Sequence, residues 1–492
     1  MVSRLVPVLA VLSCFILPSS EPARYTPQVA TNSGKVVGIV KRFKGNDLYQ
    51  FLGIPYAQPP VGDLRFRRPV PVKPWQGVKN AVSDPNKCLQ PGILFLSNNK
   101  LEMSENCLFL NIITTDRAVQ EANSSRNRPV LVNIHGGSFR YGSGSEESYY
   151  APSLVLLHDV VLVTLNYRLD VFGFIYHDSV PGLVGNQGLW DQNLALQWVK
   201  ENIRYFGGDP ERVTVMGQSA GSKSIFYHMS SPHGRGLFRN VILQSGVGLY
   251  IYDPSNKRVK TSVEQLLQAT RCAQAIDKLA CLQSLSAADL MARKSTEDYS
   301  FSPTYGDEYL PQTPEEFLAN SSLQTDVNVL FGLMKDDGSI FFVRLSPFAF
   351  LPVVLTYWKA KNIIAAYFKP NSVENVSQIY LDGDPYGSPA DLRARLVDMY
   401  TDISFACPGF EFARKYSALQ KQGHTYGYYQ TYKPVVRTGT VCPPISSFGV
   451  CHIDDLPLAF GVPFEDLSSA NAKDVAISLN LMDIIATFAR TG

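Results

Sequence analysis

Gly217-Gln218-Ser219-Ala220-Gly221 follows the short apolar run Val213-Thr214-Val215-Met216 and precedes a stretch with helical pattern, Ser222 to Met229. A serine between two glycines at a strand-to-helix turn holds its hydroxyl in a strained, exposed position. The glycines are required because a side chain at either place would meet neighbouring backbone. The helix that follows aims its first N–H groups at the serine and favours negative charge there. The five-residue pattern also arises by chance, so its meaning depends on what surrounds it.

Outward from this turn, apolar β-branched runs recur with helical patterns between several of them. Val130–Ile134, Asp159–Leu165, Val213–Met216, Asn240–Leu243, Val327–Phe331 and Thr425–Tyr432 read as strands. Between two of them, Leu189 to Phe206 places Leu194, Leu196, Trp198, Val199 and Ile203 on one helix face. Alternation of strand and helix predicts an α/β chain with a mostly parallel central sheet and helices on both faces. Active sites of such sheets lie at the carboxyl ends of the strands, which makes the residues after each strand the informative ones.

After Val130–Ile134 comes His135-Gly136-Gly137-Ser138-Phe139, where consecutive glycines let backbone N–H groups converge as an oxyanion hole requires. After Val327–Phe331 comes Gly332-Leu-Met-Lys-Asp336-Asp337-Gly338, a source of a carboxylate that could orient a histidine. Gly449-Val-Cys-His452-Ile-Asp-Asp455 supplies that histidine. Standing alone, each is as well read as a glycine turn, a solvated loop acid or a structural histidine. Together, the order Ser219, Asp337, His452 is that of the α/β-hydrolase triad.

The 492 residues are 45% hydrophobic and 18% charged, enough to build a large core. A net charge of +2 gives no electrostatic case for nucleic acid or an anionic membrane. Residues 1–20 read as a secretory signal, with Arg4 before the apolar run Leu5–Leu17 and the small Ser19 and Ser20 after it. That run is too short to span a bilayer, and no other stretch reaches spanning length. The remaining residues, 21–492, read as one domain, soluble and secreted. In an oxidising compartment Cys88 with Cys107 and Cys272 with Cys281 are natural partners, while Cys407, Cys442 and Cys451 leave an odd number. No cysteine or histidine spacing suits zinc. Asn123, Asn320 and Asn375 head N-glycosylation sequons.

The chain resembles the type-B carboxylesterase family, which includes cholinesterases and insect juvenile hormone esterases. The resemblance runs from about Gly34 to Gly492. It is carried by Phe51–Ala57, Leu64-Arg-Phe66, Ser104–Asn111, His135-Gly-Gly, Asn166-Tyr-Arg168, Gly185–Gln192, Phe206–Pro210 and Gln244-Ser-Gly246. The resemblance implies Ser219 as nucleophile, His452 as base and Asp337 as acid. It implies oxyanion donors from the backbone of Gly137, Ser138 and Ala220. It also implies disulfides Cys88–Cys107 and Cys272–Cys281, ion pairs Arg65–Glu105 and Arg168–Asp191, a small ester as substrate, and no metal or cofactor.

Several positions depart from the family pattern. Ser138 stands where a third glycine is usual, Asp337 where glutamate is usual, Asn106 for an aspartate, and Asp170 for a common glycine. Relatives usually continue beyond Gly492, so a C-terminal truncation is expected. Cholinesterases resemble one another in a tryptophan between the first two cysteines, where choline packs by cation–π attraction. Here the only aromatic between Cys88 and Cys107 is Phe95, and Gln218 replaces a glutamate. Both point away from choline esters toward a general carboxylesterase of the kind common in arthropods, with juvenile hormone esterase as a minor reading. The alternative of another class is a neuroligin-like binding protein, set apart by loss of the triad and a membrane stalk.

Overall fold

The apolar runs of the sequence form the middle of a nine-stranded sheet. A computed structural model describes residues 23–91, 101–122, 124, 126–249, 255–293, 300–320, 323–340, 355–381, 388–436, 448–465 and 467–492. The signal pattern, Asn123, Phe95 and Cys442 lie outside the described residues. In chain order the strands are β1 (Ile39–Phe43), β2 (Asn46–Pro55), β3 (Phe109–Thr115), β4 (Arg128–Ile134), β5 (Val161–Leu165), β6 (Gly208–Gln218), β7 (Asn240–Gln244), β8 (Asn328–Met334) and β9 (Thr425–Gln430). Across the sheet they run β9-β8-β7-β6-β4-β5-β3-β2-β1. From β5 to β9 all neighbours are parallel, while β1, β2 and β3 pair antiparallel at one edge.

The sequence reading placed no strand before Val130. β1 and β2 carry polar and exposed positions, so they lack the continuous apolar run that marks a strand buried on both faces. Four of the strands it did place are longer in the structure, while Asp159–Leu165 and Thr425–Tyr432 shorten to Val161–Leu165 and Thr425–Gln430. β8 continues through Gly332 to Met334, pairing Leu333 with Tyr429 and Met334 with Gln430. The sheet crosses its own order at β4: the chain steps from β4 to β5 on one side and returns to β6 on the other. A crevice opens at the carboxyl ends where such a reversal occurs.

The main helices are α1 (Gln187–Asn202), α2 (Ala220–Ser230), α3 (Tyr357–Tyr367), α4 (Val373–Leu381), α5 (Pro389–Thr401), α6 (Cys407–Leu419) and α7 (Ala472–Thr491). Alternation along β4 decides which of them covers which face. Val130, Val132 and Ile134 pack in one core with Leu196 and Val199 of α1 and Ile225 and Phe226 of α2. Leu131 points the other way and joins Met216, Ile242 and Leu330 against Leu481, Met482, Ile485 and Phe488 of α7. Both faces of the sheet are therefore covered, as the alternating pattern predicts. Helix α1 departs from the simple amphipathic reading, because Gln187, Asp191, Gln192, Asn193 and Asn202 are buried beside its apolar face. Several of these polar groups are bonded: Gln187 Nε2 donates to the Phe66 carbonyl, and Asp191 receives the guanidinium of Arg168, while Gln187 Oε1 has no partner among the described residues.

Both expected disulfides are formed, with Cα–Cα separations of 5.0 Å for Cys88–Cys107 and 5.7 Å for Cys272–Cys281. Cys451 is also disulfide-bonded, and Cys407 is a free, exposed thiol. Both expected ion pairs are bidentate. Arg65 meets Glu105 at 2.6 and 2.7 Å, and Arg168 meets Asp191 at 2.7 Å through both nitrogens. Arg65 Nη1 also donates to the carbonyls of Gln283 and Leu285, which ties the Cys88–Cys107 loop, through Glu105, to the segment that follows Cys281. Among the described residues no helix is long and apolar enough to cross a membrane.

Candidate active site

β6 runs straight into α2, and the residue at the joint is Ser219, with φ 57° and ψ −119°. No regular element uses that backbone pair, and for a residue with a side chain it costs on the order of 1–3 kcal/mol. The surroundings hold it there. Ser219 N–H donates to the Gln244 carbonyl at 2.8 Å, and its own carbonyl accepts Lys223 N–H at 2.9 Å as the first turn of α2. Gly221 has no alternative at this joint, since a Cβ there would lie 2.0 Å from the Ile134 carbonyl oxygen. Ser219 is half-buried among fully buried neighbours, so its hydroxyl remains reachable.

The loop after β4 lies beside it. A Cβ on Gly136 would come within 3.3 Å of Ser219 Cβ and 2.7 Å of the Gln218 carbonyl oxygen. Gly137 has φ 111°, and Ser138 and Phe139 follow at 58° and 60°. Two consecutive non-glycine residues in the left-handed region make this the most strained turn near the site. The turn is pinned by Arg140 and Tyr141 N–H on the Gly137 carbonyl and by Asp170 N–H on the Phe139 carbonyl. Asp170, the other departure from glycine, also has positive φ, 55°, and its buried carboxylate lies 3.4 Å from Arg140 Nε. His135 stacks on Tyr167, and burial pushes its imidazole down to about 4, so it stays neutral.

The acid and the histidine come from the loops after β8 and β9. His452 Nδ1 lies 2.7 Å from Asp337 Oδ1, and both side chains are buried. Asp337 Oδ2 accepts the Met334 N–H at 2.9 Å and the Ser245 hydroxyl at 3.0 Å. Phe405 covers the imidazole with its ring centroid 4.6 Å away. It sits on a π-turn, Asp402–Ala406, between α5 and α6, a local widening that recurs at functional sites. Among the described residues no hydrogen bond joins Ser219 Oγ to His452; contacts of this kind commonly tighten only around a bound substrate. The two halves are tied instead through Gln218, whose amide donates to the His452 carbonyl at 2.5 Å.

Three further residues had no role in the sequence reading. Ser245 is the first; the Gln244-Ser-Gly246 motif drew attention to it without showing its partner. Phe405 has no local signal at all. Asp455 is the third; the Gly449–Asp455 stretch placed it beside the histidine without showing what it bonds. It is fully buried, and its Oδ2 accepts Gln244 Nε2 and Tyr428 OH, each at 2.8 Å. Burial pushes its carboxyl up to about 7 against the pull of those two donors. Gln218 also changes meaning: its side chain is spent on the histidine loop, which weakens its use as a marker of the alcohol bound. Among the described residues no group of three or more histidines, cysteines or acids is placed to hold a metal ion.

The arrangement can hold an activated hydroxyl, a base and an oriented acid at the carboxyl ends of adjacent strands. The sequence model of the Carboxylesterase family matches residues 25–492. The chain is 32% identical to the acetylcholinesterase of Bungarus fasciatus over 495 residues, covering 94% of this chain and 78% of that protein. It is 30% identical to the cholinesterase of Mus musculus over 490 residues and 30% identical to the acetylcholinesterase of Leptinotarsa decemlineata over 509 residues, with the same coverage.

Proposed function

The chain belongs to the carboxylesterase family and is a carboxylic ester hydrolase, and on that premise we propose that Ser219, His452 and Asp337 carry the reaction. The observation that supports this reading is the Asp337–His452 hydrogen bond of 2.7 Å, in a segment bonded to Gln218, the neighbour in sequence of a serine in an elbow conformation. A serine hydroxyl is a weak nucleophile at neutral pH and needs a base. His452 takes the Ser219 proton as Oγ attacks the ester carbonyl. Asp337 fixes the imidazole with its proton on Nδ1 and stabilises the positive ring that forms. The N–H groups of Gly137, Ser138 and Ala220 receive the oxyanion, each worth about 10²–10³ in rate. His452 then protonates the leaving alcohol, and water, deprotonated by the same ring, releases the acid from Ser219. None of these steps uses a metal or cofactor.

The substrate reading is a general carboxylic ester with an uncharged alcohol. Two of the relatives are acetylcholinesterases, yet residues 89–106 contain no tryptophan to face a quaternary ammonium. Clear turnover of a nitrophenyl or naphthyl ester beside weak acetylthiocholine hydrolysis is the expected pattern. A reversed preference would sink the substrate assignment. Ser219→Ala is expected to abolish aryl-ester hydrolysis, by about 10⁶ in kcat, and to abolish labelling by an organophosphate. Unchanged turnover in that variant removes the triad assignment. The alternative of a binding protein without turnover gains nothing from an acid and histidine held in register. We further read the protein as a secreted glycoprotein, supported by the disulfides, the signal pattern and the exposed sequon asparagines Asn320 and Asn375.

A further inference from the structure

The loop after β8 carries two consecutive aspartates that face different partners. Asp337 faces the imidazole. Asp336 faces the backbone of the histidine loop: its Oδ2 accepts Val450 N–H at 2.7 Å, and its own N–H donates to the Val450 carbonyl at 3.0 Å. The contact is built on both sides. Gly449 has φ 55°, and a Cβ there would lie 2.1 Å from Asp336 Oδ2 and 2.3 Å from its Cγ. The carboxylate thus occupies the space a side chain at 449 would need.

We propose that Asp336 is a positioning residue that grips the histidine loop and sets the gap that Asp337 must cross to His452. The proposal rests on the triad reading above. An aspartate has one methylene between backbone and carboxyl, so its reach is fixed by where its backbone lies. Asp337 Oδ2 is already held by Met334 N–H and the Ser245 hydroxyl, so Asp337 does not follow an imidazole that recedes. Other bonds reach the histidine segment, but not from the loop that carries the acid: Gln218 donates to the His452 carbonyl, Gln244 and Tyr428 donate to Asp455, and Cys451 is disulfide-bonded. The bond from Cys451 N–H to Asp454 stays within the segment. Asp336 joins the two loops one residue from Asp337 and, through Val450, two residues from His452. Misplacement of a catalytic group by about 1 Å can cost on the order of 10² in rate.

The test compares Asp336→Ala, Asp336→Asn and Asp336→Ala/Asp337→Glu with the wild type, all as the full chain. Asp336→Ala is expected to lower kcat for a nitrophenyl ester by roughly 10- to 100-fold, with KM changed by less than about twofold because substrate contacts remain. Asp336→Asn keeps an oxygen for Val450 N–H and stays close to the wild type. In the double variant the longer glutamate crosses the widened gap, and kcat recovers. A strongly downfield His452 Nδ1 proton resonance reports the same contact without substrate: it is expected in the wild type, lost in Asp336→Ala and restored in the double variant. Should Asp336→Ala not fold, Asp336→Ser, polar but too short to reach Val450, takes its place with the same readings. Wild-type kcat and resonance in Asp336→Ala overturn the proposal. So does a loss of kcat that glutamate at 337 leaves unrestored, since that assigns Asp336 to the fold alone. A wild type inert to ester and organophosphate, yet showing the three-way resonance pattern, refutes the triad reading and supports the clamp.

Discussion

The two halves of the site are built by different means. The nucleophile half, from β6 through Ser219 into α2 with the loop after β4 against it, is held by backbone. Ser219 is fixed by backbone hydrogen bonds, and its glycine neighbours are fixed by closest approach to the Ile134 carbonyl. The acid–base half is held by side chains. Asp337, Asp336, Ser245, Gln218 and Asp455 each contribute a bond that crosses between segments far apart in the chain. A backbone-built half tolerates almost no change of shape and much change of charge. A side-chain-built half does the opposite.

The largest expected effect tests that contrast on the side-chain half. Asp337→Asn conserves shape but favours the wrong imidazole tautomer. We expect kcat to fall by about 10⁴ with little change in melting temperature. A fall of less than tenfold would show that Asp337 does not orient His452. On the backbone half, Gly221→Ala adds one methyl group where the Ile134 carbonyl already stands. Overpacking of this kind costs about 1–3 kcal/mol or more, so the expected readout is a lower melting temperature and poor yield. A stable, fully active Gly221→Ala protein would break the idea that close approach builds this half.

Asp455 gives a smaller and pH-dependent effect. Its folded value of about 7 lies above the ordinary carboxylate value, so the native state holds the proton more tightly than the unfolded chain. Stability is then greatest below about pH 4 and falls as pH rises toward 7, by a few kcal/mol at most. Asp455→Asn, neutral throughout, is expected to flatten this slope in melting temperatures taken from pH 5 to pH 8. An unchanged slope would assign the acid-side stability to other groups. The smallest effect is expected at Ser138→Gly, which relieves a left-handed residue at a cost in unfolded-state entropy. The two nearly cancel, leaving stability within about 1 kcal/mol, while relative rates on short and long acyl esters shift. Unaltered acyl preference would place the Ser138 side chain away from the acyl group.

Legibility follows the same division. Ser219, its glycines, the end of β6 and α2 are read from the consecutive residues Val213 to Met229, because the elbow is a local conformation. The parallel strands were legible as apolar runs, and the antiparallel β1 and β2 were not, since their exposed faces break the run. His452 and Asp337 were legible as candidates from chain order and family resemblance. Their surroundings were not: the motif around Ser245 did not show its partner, nothing local marks Phe405 or the burial of Asp455, and the contact of Gln218 lies 234 residues away.

By itself the sequence determined the serine elbow, the parallel sheet, the two short disulfide loops and the membership of an ester-hydrolysing family. Those features depend on spacings of a few residues, on period and on order, all of which are written along the chain. Only the tertiary structure decided that Asp336, next to the aspartate the resemblance had singled out, grips the neighbouring loop. It also decided that Asp455 is buried, with its carboxyl pushed up to about 7 by that burial. Side chains one position apart leave the backbone in different directions, and a carboxyl's environment depends on what packs around it. Both are set by how β7, β8 and β9 lie side by side, which the packing of the whole sheet fixes.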